Sequence, residues 1–120
     1  MRLSATVLET PDANALAAFY RALLGWEVAD EEPGWVVLRP PGGGAGLSFS
    51  TDPQYVRPTW PARPGAQQMM AHLDIEVDDL AGSSARAVEL GATVAEHQPQ
   101  QDVLVHFDPD GHPFCLFLNT

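Results

Sequence analysis

The chain repeats itself, and no other feature of it so narrows the folds open to it. Reading from the amino terminus, a β-branched stretch from Arg2 to Glu9 precedes a helical stripe of Leu16, Phe19, Tyr20 and Leu23 that stops at Gly25. Thr10 is placed to cap that helix, with Pro11 in its first turn where a missing N–H costs nothing. Strand-like segments follow at Trp26–Glu31, Trp35–Arg39 and about Gly46–Ser50. The same order then returns. A strand over Gln68–Val77 runs into Asp78-Asp79, a helix carries Ala81, Ala85, Val88 and Leu90 and stops at Gly91, and strands follow at Ala92–Glu96, Val103–Phe107 and Pro113–Leu118. Asp12 matches Asp79, Gly25 matches Gly91, and Pro41 and Gly43 match Pro109 and Gly111, so that Leu47-Ser-Phe49 falls on Cys115-Leu-Phe117. The order strand, helix, strand, strand, strand, written twice, predicts an α+β fold of two βαβββ modules: module one over about 1–52, a connecting loop over about 53–66, module two over about 67–120.

At 120 residues the chain is long enough for one core without disulfide or metal support. Its net charge of −10 repels phosphate backbones and is offset by no Lys/Arg cluster, which argues against nucleic acid as a partner. The solitary Cys115 excludes an intramolecular disulfide framework, and no apolar run approaches a membrane span, so the chain reads as soluble and cytoplasmic. Glycine-rich Gly42-Gly-Gly-Ala lacks the Lys-Ser/Thr of a phosphate loop, and Asp108-Pro-Asp-Gly111 is a tight turn, its Gly too early for a calcium loop.

Chemistry concentrates around Gln68-Met-Met-Ala-His72-Leu-Asp74-Ile-Glu76-Val. With period two, His72, Asp74 and Glu76 share one face and Leu73, Ile75 and Val77 the other. The apolar face packs on helices. The ionisable face either meets water, as one side of an antiparallel sheet often does, or lines a cavity. The connecting loop holds four prolines with Tyr55 and Trp60 and is too apolar for an ordinary disordered linker, so an ordered loop is expected, with Trp60 as wall or lid.

Three pieces carry a resemblance: Ala-Phe19-Tyr20-Arg-Ala-Leu-Leu-Gly25-Trp26, His72-Leu-Asp74-Ile-Glu-Val-Asp-Asp79 and Asp108-Pro-Asp-Gly-His-Pro-Phe-Cys115. With the doubled βαβββ order they resemble the vicinal oxygen chelate superfamily of glyoxalases, bleomycin resistance proteins and ring-cleaving dioxygenases, in its glyoxalase-like branch. The resemblance implies mixed sheets curled around a cavity, helices outside, with His72 and Asp74 facing in. It places the superfamily's metal-ligand positions at Ala5, Leu47, His72 and Cys115, of which His72 alone matches. No metal cofactor is therefore expected, a divalent metal being the alternative. Ala5, Trp35, Leu47, Phe49, Trp60, Cys115 and Phe117 are the expected ligand-contacting residues, and His72 and Asp74 the acid/base and its orienter in an enzymatic version.

The function implied is small-molecule binding, by resistance-like sequestration or metal-free catalysis, of an organic ligand that is aromatic or cationic. The alternatives are a metal-dependent glyoxalase-type isomerase, lyase or dioxygenase, and an interaction module whose cavity its own side chains fill. The resemblance also implies a homodimer. Light scattering should return twice the chain mass, and a monomer mass at micromolar protein counts against pairing.

Overall fold

A computed structural model describes residues 1–119 and divides the chain into two units, Met1–Tyr55 and Val56–Thr120. The first contains β1 (Ala5–Thr10), α1 (Ala13–Leu24), β2 (Glu27–Glu32), β3 (Trp35–Arg39) and β4 (Gly46–Thr51). The second contains β5 (Leu73–Val77), α2 (Leu80–Leu90), β6 (Thr93–Val94), β7 (Val103–Phe107) and β8 (Pro113–Leu118). Each unit is one open four-stranded mixed sheet, ordered β1-β4-β3-β2 and β5-β8-β7-β6, with the first and last strands parallel. These are the two βαβββ modules of an α+β fold. No described helix is long and apolar enough to cross a membrane.

Local chemistry sets the helix ends. Asp12, not Thr10, is the cap of α1: its carboxylate accepts from the Ala15 N–H at 3.2 Å, while the Thr10 hydroxyl accepts from the Asp12 N–H. A carboxylate at this position satisfies an orphan donor of the first turn, and Thr10 lies too far back to reach it. Asp79 caps α2 in the same way through the Gly82 N–H. Gly25 ends α1 in the left-handed region (φ 70°), open to glycine without steric cost.

In the first unit α1 packs on one face of its sheet. Tyr20 stacks on Phe49 at 5.6 Å, and Val36, Leu38, Leu47 and Phe49 are all buried. The register joins Thr6 to Leu47 and Leu8 to Phe49, so Ala5, Val7 and Ser48 lie on the opposite, open face. The α2 stripe expected from Ala81, Ala85 and Val88 is instead exposed, and Ala87 is the residue the helix buries. The strand expected over Gln68–Val77 begins only at Leu73, because Met70 takes φ 64° and Ala71 bonds back to the Met69 carbonyl, which breaks the extended run.

The second unit is tied by polar groups as much as by apolar ones. Buried His106 stacks on Phe114, donates from Nδ1 to the Leu104 carbonyl at 3.1 Å and accepts at Nε2 from the Ser84 hydroxyl of α2 at 2.8 Å. Where β6 stops after two residues, the Gln98 amide takes over the ladder: it donates to the Ala95 and Val105 carbonyls and accepts from the Val105 N–H. Burial of His106 lowers its pKa, opposed in smaller part by the Leu104 carbonyl. The unfolded chain then binds more protons than the native one between the lowered pKa and the ordinary histidine value. Stability should therefore fall as pH drops below about 6.5, and denaturant titration across that range reads the slope. Ser84→Ala should cost about 1–3 kcal/mol by leaving a buried ring nitrogen without its donor.

Candidate functional site

β5 and β8 are in parallel register with Asp74 beside Cys115 and Glu76 beside Phe117. β7 and β8 are antiparallel, with Val105 beside Cys115 and Val103 beside Phe117. Since Phe114 and His106 face α2, alternation turns Asp74, Val103, Val105, Pro113, Cys115 and Phe117 to the other face of the sheet. A cavity of about 180 Å³ lies there, its wall dominated by Trp60, Met69, Val103 and Val105, with His72, Gln100 and Cys115 as its polar side chains.

Two irregular segments complete that wall. Trp60 is held by its indole N–H to the His97 carbonyl at 3.2 Å and its ring lies 5.8 Å from that of His97. Arg57 sits 6.0 Å over the Phe107 ring and packs against Gly111, which anchors the start of the same loop to the β7–β8 turn. Pro99 and Gln100 follow Gln98, whose amide grips Val105, so the Gln98 clamp fixes one wall segment to another.

At the cavity edge three ionisable groups converge. His72 Nε2 lies 3.1 Å from Asp74 Oδ1, and one donor atom from each of His72, Asp74 and Cys115 falls within 4.8 Å of the others. Burial pushes the Cys115 thiol up, and the Asp74 charge and a hydrogen bond to its carboxylate push it further the same way. The thiol therefore keeps its proton and is no ready nucleophile, since the thiolate is the reactive form.

Among the residues singled out in the sequence, His72, Trp60 and Cys115 line this cavity and Asp74 stands beside two of them. Phe117 is on the same sheet face but outside the lining. Ala5 and Trp35 belong to the first unit, on the face of its sheet turned away from α1. Leu47 and Phe49 are on the α1 face and so are not exposed to the open side at all. The placement of Leu47 rested on matching Gly43 to Gly111. The three-glycine loop holds one residue more than the Asp108–Gly111 turn, and a slip of one residue moves a strand side chain to the other face. Pairing shows Ser48, which is buried and lies beside Val7, as the counterpart of Cys115 beside Asp74.

Of the positions that the superfamily resemblance gives to a metal, the second unit supplies His72 and Cys115, one neutral donor and one thiol. That set does not fit an oxygen-chelating divalent ion, which takes about three donors, hard ones preferred. The different trio His72, Asp74 and Cys115 has the count, and its sulfur suits zinc better than a harder ion. Met69, Gln100, Val103, Val105 and Pro113 went unremarked in the sequence; Val103 and Val105 were open to discovery through their period-two phase with Cys115, while the loop residues carried no such signal.

A family model described as a glyoxalase-like domain matches residues 5–117. No curated protein matches the chain in sequence. Among solved structures, a glyoxalase/bleomycin resistance protein/dioxygenase family enzyme from Burkholderia phytofirmans PsJN superposes with a TM-score of 0.76 at 17% identity, covering 98% of each chain. A glyoxalase/bleomycin resistance protein from Albidiferax ferrireducens T118 gives 0.68 at 19% identity over 98% of each chain. The fosfomycin resistance protein FosX from Mesorhizobium loti gives 0.68 at 14% identity, covering 98% of this chain and 92% of its own.

The state of the thiol is open to direct measurement. Alkylation of native Cys115 by iodoacetamide should rise with pH beyond the usual thiol range near about 8.5, and Asp74→Asn should move that profile to lower pH. A rate already level at about pH 7 would show an activated thiolate instead.

Proposed function

The chain belongs to the glyoxalase-like domain family of the vicinal oxygen chelate superfamily, and from that premise we propose that it binds a small organic molecule in the cavity of its second unit without a catalytic metal. The observation that carries this reading is an apolar cavity with few polar groups, met at one edge by the His72–Asp74 pair. Ligand sites have this makeup, in which apolar walls supply affinity and a few polar groups supply orientation. The volume of about 180 Å³ sets the scale. An engineered cavity of about 150 Å³ holds benzene, whereas pockets for drug-sized molecules start at about 300 Å³. One ring with a small substituent fits this cavity, and a bulky drug does not. Sequestration of such a molecule, as in resistance proteins, needs nothing more. Catalysis would rest on His72 as acid/base, with Asp74 orienting its ring.

A second reading, metal-dependent isomerase, lyase or dioxygenase chemistry, is favoured by one observation: the donor atoms of His72, Asp74 and Cys115 within 4.8 Å of one another. A zinc ion there would be held by those three side chains and would supply Lewis-acid polarisation of a ligand oxygen. Against it stands the cost of ionising a buried thiol beside a carboxylate.

One titration series separates these readings. Toluene-sized aromatics should quench tryptophan fluorescence in the wild type and lose that effect in Trp60→Ala, whose indole forms part of the wall. His72→Ala should weaken binding while costing less than about 1 kcal/mol, because its side chain is 42% exposed. Chelator treatment should leave melting temperature and binding unchanged, since a metal bound only by the native state would add stability by mass action. Near one zinc per chain, lost in Cys115→Ser, would establish the metal reading in place of this one.

A further inference from the structure

The cavity wall holds no fixed positive charge. The chain has six Arg and no Lys, and among the described residues none of the six lines the cavity. Of the three in the second unit, Arg57 lies over the Phe107 ring and against Gly111, Arg63 is exposed, and Arg86 meets Glu89 at 3.5 Å on α2. A helix amino terminus is the other usual seat for an anion. That of α2 is taken by the Asp79 carboxylate, and the helix packs on the opposite face of the sheet. His72 supplies no counter-charge either. Asp74 stands 3.1 Å from it, so with the imidazole charged or neutral the pair carries no net positive charge. The wall itself offers an indole face from Trp60, a polarisable sulfur from Met69, the apolar surface of Val103 and Val105, and a neutral amide from Gln100.

From this charge balance, and resting on the reading of the cavity as a ligand site, we propose that it takes uncharged single-ring compounds and excludes their acids: rings bearing an amide, alcohol or aldehyde enter, and ring carboxylates, phosphates and phosphonates do not. An anion moved against an apolar wall gives up hydration and receives no paired charge in return. The chain's net charge of −10 repels the same ligands before they arrive. A neutral ring loses little hydration and gains the wall. A cation escapes the repulsion, but the carboxylate it would need is outside the lining, 62% exposed and already beside His72. It would exchange full hydration for a partner that stands in water, a contact of small worth. Gln100 is an exposed polar side chain of the wall, and a counter-charge placed there disturbs no core residue.

Benzamide, benzoate and benzamidine provide the test, being rings of nearly one shape that are neutral, anionic and cationic at about pH 7. NMR titration of the full chain should show benzamide binding about a hundredfold tighter than benzoate and at least as tightly as benzamidine. Gln100→Arg should raise the benzoate affinity about tenfold, because a guanidinium at the wall gives the carboxylate a bidentate partner, and Gln100→Lys should raise it by less. Benzoate bound as tightly as benzamide by the wild type overturns the exclusion of acids while leaving the ligand-site reading intact. Benzamidine bound about tenfold tighter than benzamide overturns the uncharged class in favour of a basic one. A benzoate affinity unmoved in both Gln100 variants overturns the missing counter-charge as the cause. Binding of none of the three at any accessible concentration overturns both the selection and the ligand site beneath it.

Discussion

The parallel pairing of β5 with β8 is the constraint on which the rest of the site depends. With Asp74 beside Cys115, the open face of the second sheet receives a carboxylate, a thiol and, one residue before the strand, an imidazole. With the register moved by one residue, Asp74 would stand beside Phe114 or Leu116, and the carboxylate and the thiol would fall on opposite faces of the sheet. Two features hold the register: the apolar surface that Phe114 and Leu116 bury beneath the helix, and the His106–Ser84 bond that joins β7 to that helix. A hydrogen bond on one face of a sheet thereby governs the chemistry available on the other.

The first unit shows what the topology does when the side chains differ. Its sheet has the same strand order, and Val7 beside Ser48 stands where Asp74 stands beside Cys115. Ala5 takes the place of His72, seven residues before the capping Asp12 as His72 is before Asp79. Backbone topology is thus duplicated while the ionisable trio is confined to one copy. Polar groups of one module alone define the candidate site, and the strand framework by itself carries no reactivity.

Loops finish what the strands begin. Trp60 and Met69 come from the irregular run between the two sheets, and Pro99 and Gln100 from the segment after β6. Each is held by a specific contact rather than by regular pairing: the indole bond to the His97 carbonyl, the Gln98 amide on Val105, the Arg57 side chain against Phe107 and Gly111. Such walls can differ greatly between proteins of one fold, because loop substitutions leave the sheet ladder untouched. The identity of 14–19% to the three structural neighbours, over nearly the whole chain, fits a framework kept by pattern rather than by residue.

What the sequence determined by itself was whatever depends on short-range period and punctuation. Two strand–helix–strand–strand–strand runs, their helices ended by Gly25 and Gly91 and the second started at Asp79, are written in neighbouring residues, as is the shared phase of His72 and Asp74; the cap of the first helix, read at Thr10, is Asp12. Counting along the chain failed where a loop changed length: one extra residue beside Gly42–Gly44 turned Leu47 and Phe49 toward α1 and put Ser48 on the open face. Tertiary structure alone decided that Cys115 meets Asp74 and His72, that the turn at Met70 delays the strand to Leu73, and that Trp60, Gln100 and Val105 come together around one small cavity. The reason is physical. Hydrophobic period and capping act over a few residues and are legible locally, whereas strand register and loop anchoring are contacts between residues some tens of positions apart, whose partners no local pattern names.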